Sequence, residues 1–237
     1  WEKISLPHTA SIEPVEKKGQ HWQGICFYRK FFTVYKSPES EHVAIQFDAA
    51  MQEADVYLNG QHIYKHVGGY LPFYIDISDK IKRGEENSIV VRLDNRDNPL
   101  IPPGKSLPTL DFNYYSGIYR NAWLITKDKL YITNSVAADR VAGGGVFIYH
   151  EDVTPQSATM VIKADVKNDF DVAKNVQVRV TLTVGLKKKG SALSAIQAIP
   201  ASGTGTFTQT IAVANPDLWS PDNPFLYDVR VEVLEKG

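Results

Sequence analysis

The sequence predicts an all-β chain built as two consecutive sandwiches: a jelly-roll sandwich over residues 1–127 and an immunoglobulin-like β-sandwich over residues 128–237. Three observations predict it. Short runs alternate apolar and polar residues with period two, turn signals separate them, and nothing before Pro99 shows a sustained helical period. The texture then changes after Leu124, where aromatics thin out and Val, Thr and Ala take over. At 237 residues the chain has room for two domains of ordinary size. The change of texture places the boundary near Lys127–Lys129.

Trp1 to Gly24 is broken by Pro7, Pro14 and Gly19 and is expected to be loop-like. Ile25 to Tyr35 is aromatic and β-prone and is expected to be a central strand. Val43, Ile45 and Phe47 alternate, as do Ala54, Val56 and Leu58. The second set runs into Asn59-Gly60 and a further strand from Gln61 to Lys65, a hairpin signal because both turn residues tolerate positive φ. Gly68-Gly69 marks another turn, and one helical turn is expected at Ile77–Ile81. The turn at Gly84-Glu85-Glu86-Asn87 leads into Ile89, Val91 and Leu93. Ala122 to Ile125 closes the first half as a strand.

In the second half Lys129–Thr133 reads as a strand, and another lies near Val146–Tyr149. Met160, Ile162, Ala164 and Val166 alternate with polar partners. Val176, Val178, Val180, Leu182 and Val184 do so without a fault. Phe207, Ile211 and Val213 form one strand, and Tyr227, Val229, Val231 and Val233 the last. Six to seven strands over this length is the immunoglobulin-like pattern, here without its Cys…Trp…Cys framework.

Lys+Arg 26 against Asp+Glu 27 leaves a net charge of −1, without the electrostatic footprint of a nucleic-acid binder. The Lys187-Lys188-Lys189 run reads as a solvated hairpin tip. Cys26 is the single cysteine, so no intrachain disulfide and no cysteine zinc site can form. Set among Ile25, Phe27 and Tyr28, it reads as a small buried hydrophobe. No apolar stretch approaches the roughly 20 residues of a membrane-spanning helix. The chain starts at Trp1 with no initiator Met and is expected to be processed or trimmed.

Few residues suggest chemistry. His62 and His66 are four apart, but on a strand that spacing does not bring two rings together on a metal, so both read as structural. Asp94-Asn95-Arg96-Asp97-Asn98 contains an arginine, lacks the glycine of a calcium loop, and reads as a polar loop. No nucleophile elbow, phosphate-binding glycine loop or dinucleotide fingerprint occurs. No cofactor and no metal is expected. The stretch that stands out is Asp111–Arg120, DFNYYSGIYR, after the prolines at 99, 102, 103 and 108. Aromatics, a carboxylate and an amide crowded on one loop suit a sugar, which offers stacking faces and many hydroxyls.

Several segments resemble the N-terminal region of glycoside hydrolase family 2, the family of β-galactosidases and β-glucuronidases. They are Leu6-Pro7-His8-Thr9, Trp22-Gln23-Gly24 leading to Tyr28-Arg29-Lys30, Asp55-Val56-Tyr57-Leu58-Asn59-Gly60, and His66-Val67-Gly68-Gly69-Tyr70 with Phe73 and Asp76. Tyr115-Ser116-Gly117-Ile118-Tyr119-Arg120 follows, then Leu218-Trp219-Ser220-Pro221-Asp222-Asn223-Pro224 with Leu226-Tyr227. Their shared order along nearly the whole chain makes the resemblance specific, and the Trp22–Arg29 wording is most similar to β-galactosidases.

The resemblance implies a jelly-roll (galactose-binding-like) domain, then an immunoglobulin-like domain, then an (α/β)8 barrel outside this chain. Two glutamates in that barrel act with retention, one of them in an Asn-Glu pair. This chain has no Asn-Glu dipeptide and is expected to be an inactive N-terminal portion. The resemblance further implies that the carboxylate six residues before the motif glycine, Asp111, reaches the barrel's pocket and accepts hydrogen bonds from the terminal sugar. The alternative for Asp111 is a carboxylate capping a loop turn. Asn113, Tyr114 and Tyr115 are its neighbours, and Gln23 is a second candidate for the pocket. Tyr115 and Tyr119 are expected to pack in the core, Arg120 to form an ion pair, and Trp219 to pack at the sandwich base. The implied partners are a β-galactoside-type carbohydrate and the chain's own catalytic barrel, with homo-oligomer formation open and neither nucleic acid nor membrane expected. The implied compartment is the periplasm or the exterior, with the cytoplasm as the alternative. A β-glucuronidase-type hydrolase, a stand-alone carbohydrate-binding module and an adhesive sandwich are the competing readings.

Overall fold

A computed structural model describes residues 1–11, 22–37, 41–106, 109–110, 112 and 114–236. The chain divides into two units, Trp1–Lys127 and Asp128–Gly237. Both units are antiparallel β-sandwiches, the first jelly-roll-like and the second immunoglobulin-like.

In the first unit one sheet is formed by β1 (Ile25–Thr33), β6 (Glu86–Asp94), β3 (Glu53–Leu58) and β4 (Gln61–Val67), in the order β1-β6-β3-β4. The second holds β5 (Phe73–Asp76), β2 (His42–Phe47) and β7 (Ala122–Lys127), in the order β5-β2-β7. Each inward face carries the apolar half of an alternating strand. Ala54, Val56 and Leu58 of β3 and Ile89, Val91 and Leu93 of β6 meet Val43, Ile45, Phe47, Phe73 and Ile75 in one buried cluster. Each such Val, Leu, Ile or Phe removed from water contributes about 1.5–3 kcal/mol, enough for the pattern to select the register. The hairpin between β3 and β4 turns on Asn59 and Gly60, both at positive φ (51° and 84°), as the two-residue turn requires. The single helical turn at Ile77 closes through Lys80 N and Ile81 N donating to Ile77 O.

Two features of this unit depart from the sequence reading. β5 carried no separate signal, because four residues beside Pro72 are too short to show a period. Among the described residues β1 is an edge strand, paired with β6 alone, and not a central one. Its apolar residues occupy both faces: Cys26, Tyr28 and Phe32 point to the core, while Ile25, Phe27 and Phe31 stay exposed. A run that is apolar on both faces reads as doubly covered, but here the outer face is open.

In the second unit β10 (Ser157–Asn168) pairs along one side with β14 (Thr204–Ala214). Its other side is shared end to end by β8 (Leu130–Ile132) and β9 (Val146–Glu151). The facing sheet centres on β11 (Lys174–Val184), flanked by β15 (Asp228–Lys236) and, on the opposite edge, by β12 (Lys187–Leu193) and β13 (Gln197–Ile199). Val176, Val178, Val180 and Leu182 meet Met160, Ile162, Ala164, Val166, Phe207 and Ile211 between the sheets. Asn168, fully buried, donates through Nδ2 to the carbonyls of Val172, Ile199 and Pro200 (2.9–3.1 Å) and fixes the loop before β14. The three lysines open β12 just after the Gly185-Leu186 turn and are exposed. A short helix α1 (Ser135–Ala138) is capped by Asn134, whose Oδ1 accepts from Val136 N and Ala137 N.

Trp219 departs from expectation too. It is 60% exposed, with Leu218 and Leu226 exposed beside it. Its loop is closed by its own backbone, Ser220 and Asn223 exchanging two hydrogen bonds, so the ring is presented outward instead of filling the sandwich.

Candidate functional site

The Ser-Gly turn of the DFNYYSGIYR stretch is held in a knot of hydrogen bonds. Gly117 sits at φ 79° and its carbonyl accepts from Met51 N (3.0 Å), while the Ile118 carbonyl accepts from His8 N (2.8 Å). Ser116 is buried, and its Oγ accepts from Ala10 N and lies 3.0 Å from Thr9 Oγ1. From β1 the Tyr28 hydroxyl reaches His8 Nδ1 at 2.9 Å. Burial pushes the Tyr28 phenol up to about 12, and nearby Cys26 adds to the shift. A Cβ on residue 117 would stand 2.1 Å from the Tyr28 oxygen and 2.9 Å from the His8 carbonyl. Glycine is required here for both its φ and its lack of bulk. The Leu6-Pro7-His8-Thr9 and Ser116–Ile118 segments are thus one packed object.

A second set of bonds runs from this knot to the other loops. Tyr114 is buried, and its hydroxyl donates to Gln52 Oε1 (2.5 Å). Gln52 is buried as well, and its Nε2 donates to the Arg96 carbonyl (2.7 Å). Burial holds the Tyr114 phenol well above its usual range, with Tyr70 and Asp97 adding to it. Tyr119 donates to Gly69 O, and a Cβ on Gly69 would meet Met51 Sδ at 2.2 Å. The Asp94–Asn98 segment is the bridge. Asp94 is clasped by Arg96 (2.6 Å) and Arg92 (3.3 Å), and the Arg96 hydrogen bond does most to hold its carboxyl below the ordinary carboxylate range. Buried Asn95 accepts from Gly24 N and donates to Trp22 O, both at 2.8 Å. Asn98 donates to Glu53 Oε1 (3.0 Å).

Gln23 is exposed, and its Nε2 donates to Asp97 Oδ1 at 2.6 Å. The structure therefore brings Gln23 to the same bridge that Gln52 and Tyr114 hold, next to the DFNYYSGIYR stretch. Asp111 and Asn113 lie outside the described residues. Of their neighbours, Leu110 packs against Met51 and Tyr114, and Phe112 is exposed. Gln52 was not singled out in the sequence, and Asp97 only as part of the polar loop Asp94–Asn98. Nothing local marks a glutamine as the strap between two loops, since its partners lie 44 and 62 residues away.

Two neighbours of the turn depart from expectation. Tyr115 is 53% exposed and outside the core. Arg120 is exposed and makes no ion pair with a described residue; its guanidinium lies 5.8 Å from the Tyr119 ring centre. The backbone of the turn, not these side chains, carries the packing. His62 faces Asp55 (3.1 Å), and His66 stacks on Phe73 at 4.3 Å, with burial lowering its pKa. Among the described residues no three His, Cys, Asp or Glu side chains gather as a metal site.

Comparison with known proteins gives two family matches. Residues 7–128 match the sugar binding domain of glycosyl hydrolases family 2, and residues 145–237 match the model named glycosyl hydrolases family 2. A β-glucuronidase of Formosa agariphila is 32% identical over all of this chain and a quarter (25%) of its own length. A β-galactosidase of Thermoanaerobacter pseudethanolicus is 30% identical, over 100% of this chain and 30% of its own. Among solved structures, a β-glucuronidase from glycoside hydrolase family 2 superposes with a TM-score of 0.83 at 28% identity, over 99% of this chain and 26% of the other. The β-glucuronidase of Bacteroides uniformis gives 0.82 at 26% identity, over 98% and 27%. The chain thus spans about a quarter to a third of these proteins.

Proposed function

Because the chain belongs to glycoside hydrolase family 2, we propose that it is the non-catalytic N-terminal portion of a retaining β-galactosidase-like glycosidase. Its role is to support a C-terminal (α/β)8 barrel and to complete that barrel's sugar pocket. One observation carries the reading: the whole chain aligns with glycosidases, yet with only 25–30% of the two relatives' lengths. The acid and nucleophile of retention then lie elsewhere in the polypeptide. Asp111 supplies a carboxylate that accepts from two adjacent hydroxyls and orients the ring, and Asn113 and Gln23 are the further candidates for the same pocket. The knot at Gly117 and the Gln52–Tyr114 strap make the rigid footing such a positioning group requires. Hydrolysis of β-glucuronides is the second reading, favoured by the β-glucuronidases among the similar proteins.

The test compares this chain alone with a polypeptide continued through the barrel, using chromogenic β-galactosides and β-glucuronides. The chain alone should turn over neither, and the longer polypeptide should prefer one. Turnover by the chain alone overturns the reading. Tight glycan binding by the chain alone, with no activity in the longer form, would instead identify a stand-alone carbohydrate-binding module.

A further inference from the structure

A hollow of mixed polar and apolar lining lies in the first unit, about 420 Å3 in volume, on the side where β2 and β7 pair. It is lined by Gln46, Asp48, Tyr119, Arg120 and Asn121 and rimmed by Pro7 and Pro72. Its volume falls within the roughly 300–1,000 Å3 of small-molecule sites. Trp123, cross-strand from Gln46, adjoins it through an indole N–H that donates to Asp48 Oδ2 at 2.8 Å. The Gln46 amide donates to Asp48 Oδ1 at 3.0 Å. Both carboxylate oxygens of Asp48 are thereby engaged in holding neighbours, and the half-exposed Trp123 ring (51%) is fixed in orientation. Arg120 brings a guanidinium with no carboxylate against it among the described residues.

We propose that this hollow binds an acidic sugar: a pyranose ring laid on the Trp123 face, with its carboxylate or sulfate on Arg120. An oriented, half-exposed indole is a stacking surface that keeps its polar edge satisfied. A planar guanidinium with no carboxylate against it among the described residues matches a carboxylate or sulfate through two parallel N–H bonds. Asn121 and Gln46 are the amides within reach of ring hydroxyls. The Asp48 charge repels an anion, so the ligand's charged end belongs on the Arg120 side. The proposal does not rest on Asp111, so either reading can fail without the other.

The test uses the whole chain, 15N-labelled, with the Trp123 indole signal identified by its loss in Trp123→Phe. Methyl β-glucuronide, methyl β-glucoside, galactose 6-sulfate and acetate are titrated in turn. A charge-assisted bond to Arg120 should make the acidic sugars bind roughly tenfold or more tightly than the glucoside. Arg120→Gln should erase that difference while leaving the weak glucoside shift. Read on the Asn121 and Gln46 side-chain amide signals, Trp123→Phe should retain binding and Trp123→Ala should lose it, each with an unchanged unfolding transition. Response to the glucuronide alone, or to the sulfate alone, identifies which anion the site takes. The proposal is overturned if no sugar gives a saturable shift, if the glucoside equals the acidic sugars, or if acetate alone matches them.

Discussion

Replacing Gly117 by alanine tests whether the Ser-Gly turn is the point on which the first unit is assembled. Two costs add at this position. An alanine at φ 79° loses about 1–2 kcal/mol against glycine. The new Cβ also falls 2.1 Å from the Tyr28 oxygen and 2.9 Å from the His8 carbonyl, so the Tyr28–His8 and His8–Ile118 bonds must lengthen or break. Overpacking of that kind costs about 1–3 kcal/mol, and each lost hydrogen bond about 1 kcal/mol. With both bonds lost the expected total is about 4–7 kcal/mol. Gly60→Ala is the matched control. Its φ is 84°, but a Cβ there meets nothing within 4 Å, so only the backbone cost of about 1–2 kcal/mol remains. Urea unfolding followed by tryptophan fluorescence should place Gly117→Ala at least about 2 kcal/mol below Gly60→Ala, or roughly 6–10 °C lower in a thermal melt. Equal stability of the two variants would refute the reasoning, because the contacts that separate them would then carry no energy.

Three further outcomes are expected. Burial raises the Cys26 thiol to about 11, so its alkylation by iodoacetamide should be slow at pH 8 and climb with a midpoint near that value; a midpoint near 8.5 would contradict it. Asn168→Ala removes a donor from three carbonyls, of which Pro200 O keeps its bond from Gly203 N, and should destabilise the second unit by about 2–3 kcal/mol in urea unfolding, whereas Asn168→Asp, which keeps the acceptor alone, should not restore it. Asp94 is held below its ordinary value of about 3.9, chiefly by the hydrogen bond from Arg96, so it contributes stability above that pH and loses it as the pH falls through the lower folded value. Asp94→Asn should therefore be less stable at pH 7 and lose less on acidification; parallel pH profiles for variant and parent would count against it.

What was legible in the sequence follows physical lines. The strands with one buried face, β11 above all, announce themselves because period two and burial coincide. Asn59-Gly60 announces its turn because few other pairs take positive φ twice. β1 did not disclose its edge position, since which strand lies beside it is decided by register with residues about 60 positions away. β12 was hidden by its lysines, and Trp219 by the habit of reading a tryptophan near prolines as core. At the candidate site the motif words were legible. The strap that joins them, Gln52 to Tyr114 and Arg96, was not, because a buried amide bridging distant loops has no local pattern.

The central claim is that this chain lends a sugar-positioning carboxylate to a catalytic barrel. The most direct measurement is kcat/KM for Asp111→Ala in the polypeptide continued through the barrel, alongside its melting temperature. Loss of a charged group that bonds two hydroxyls should lower kcat/KM by about 10–100-fold with the melting temperature unchanged. Kinetics equal to the parent enzyme in a folded Asp111→Ala variant would contradict the claim.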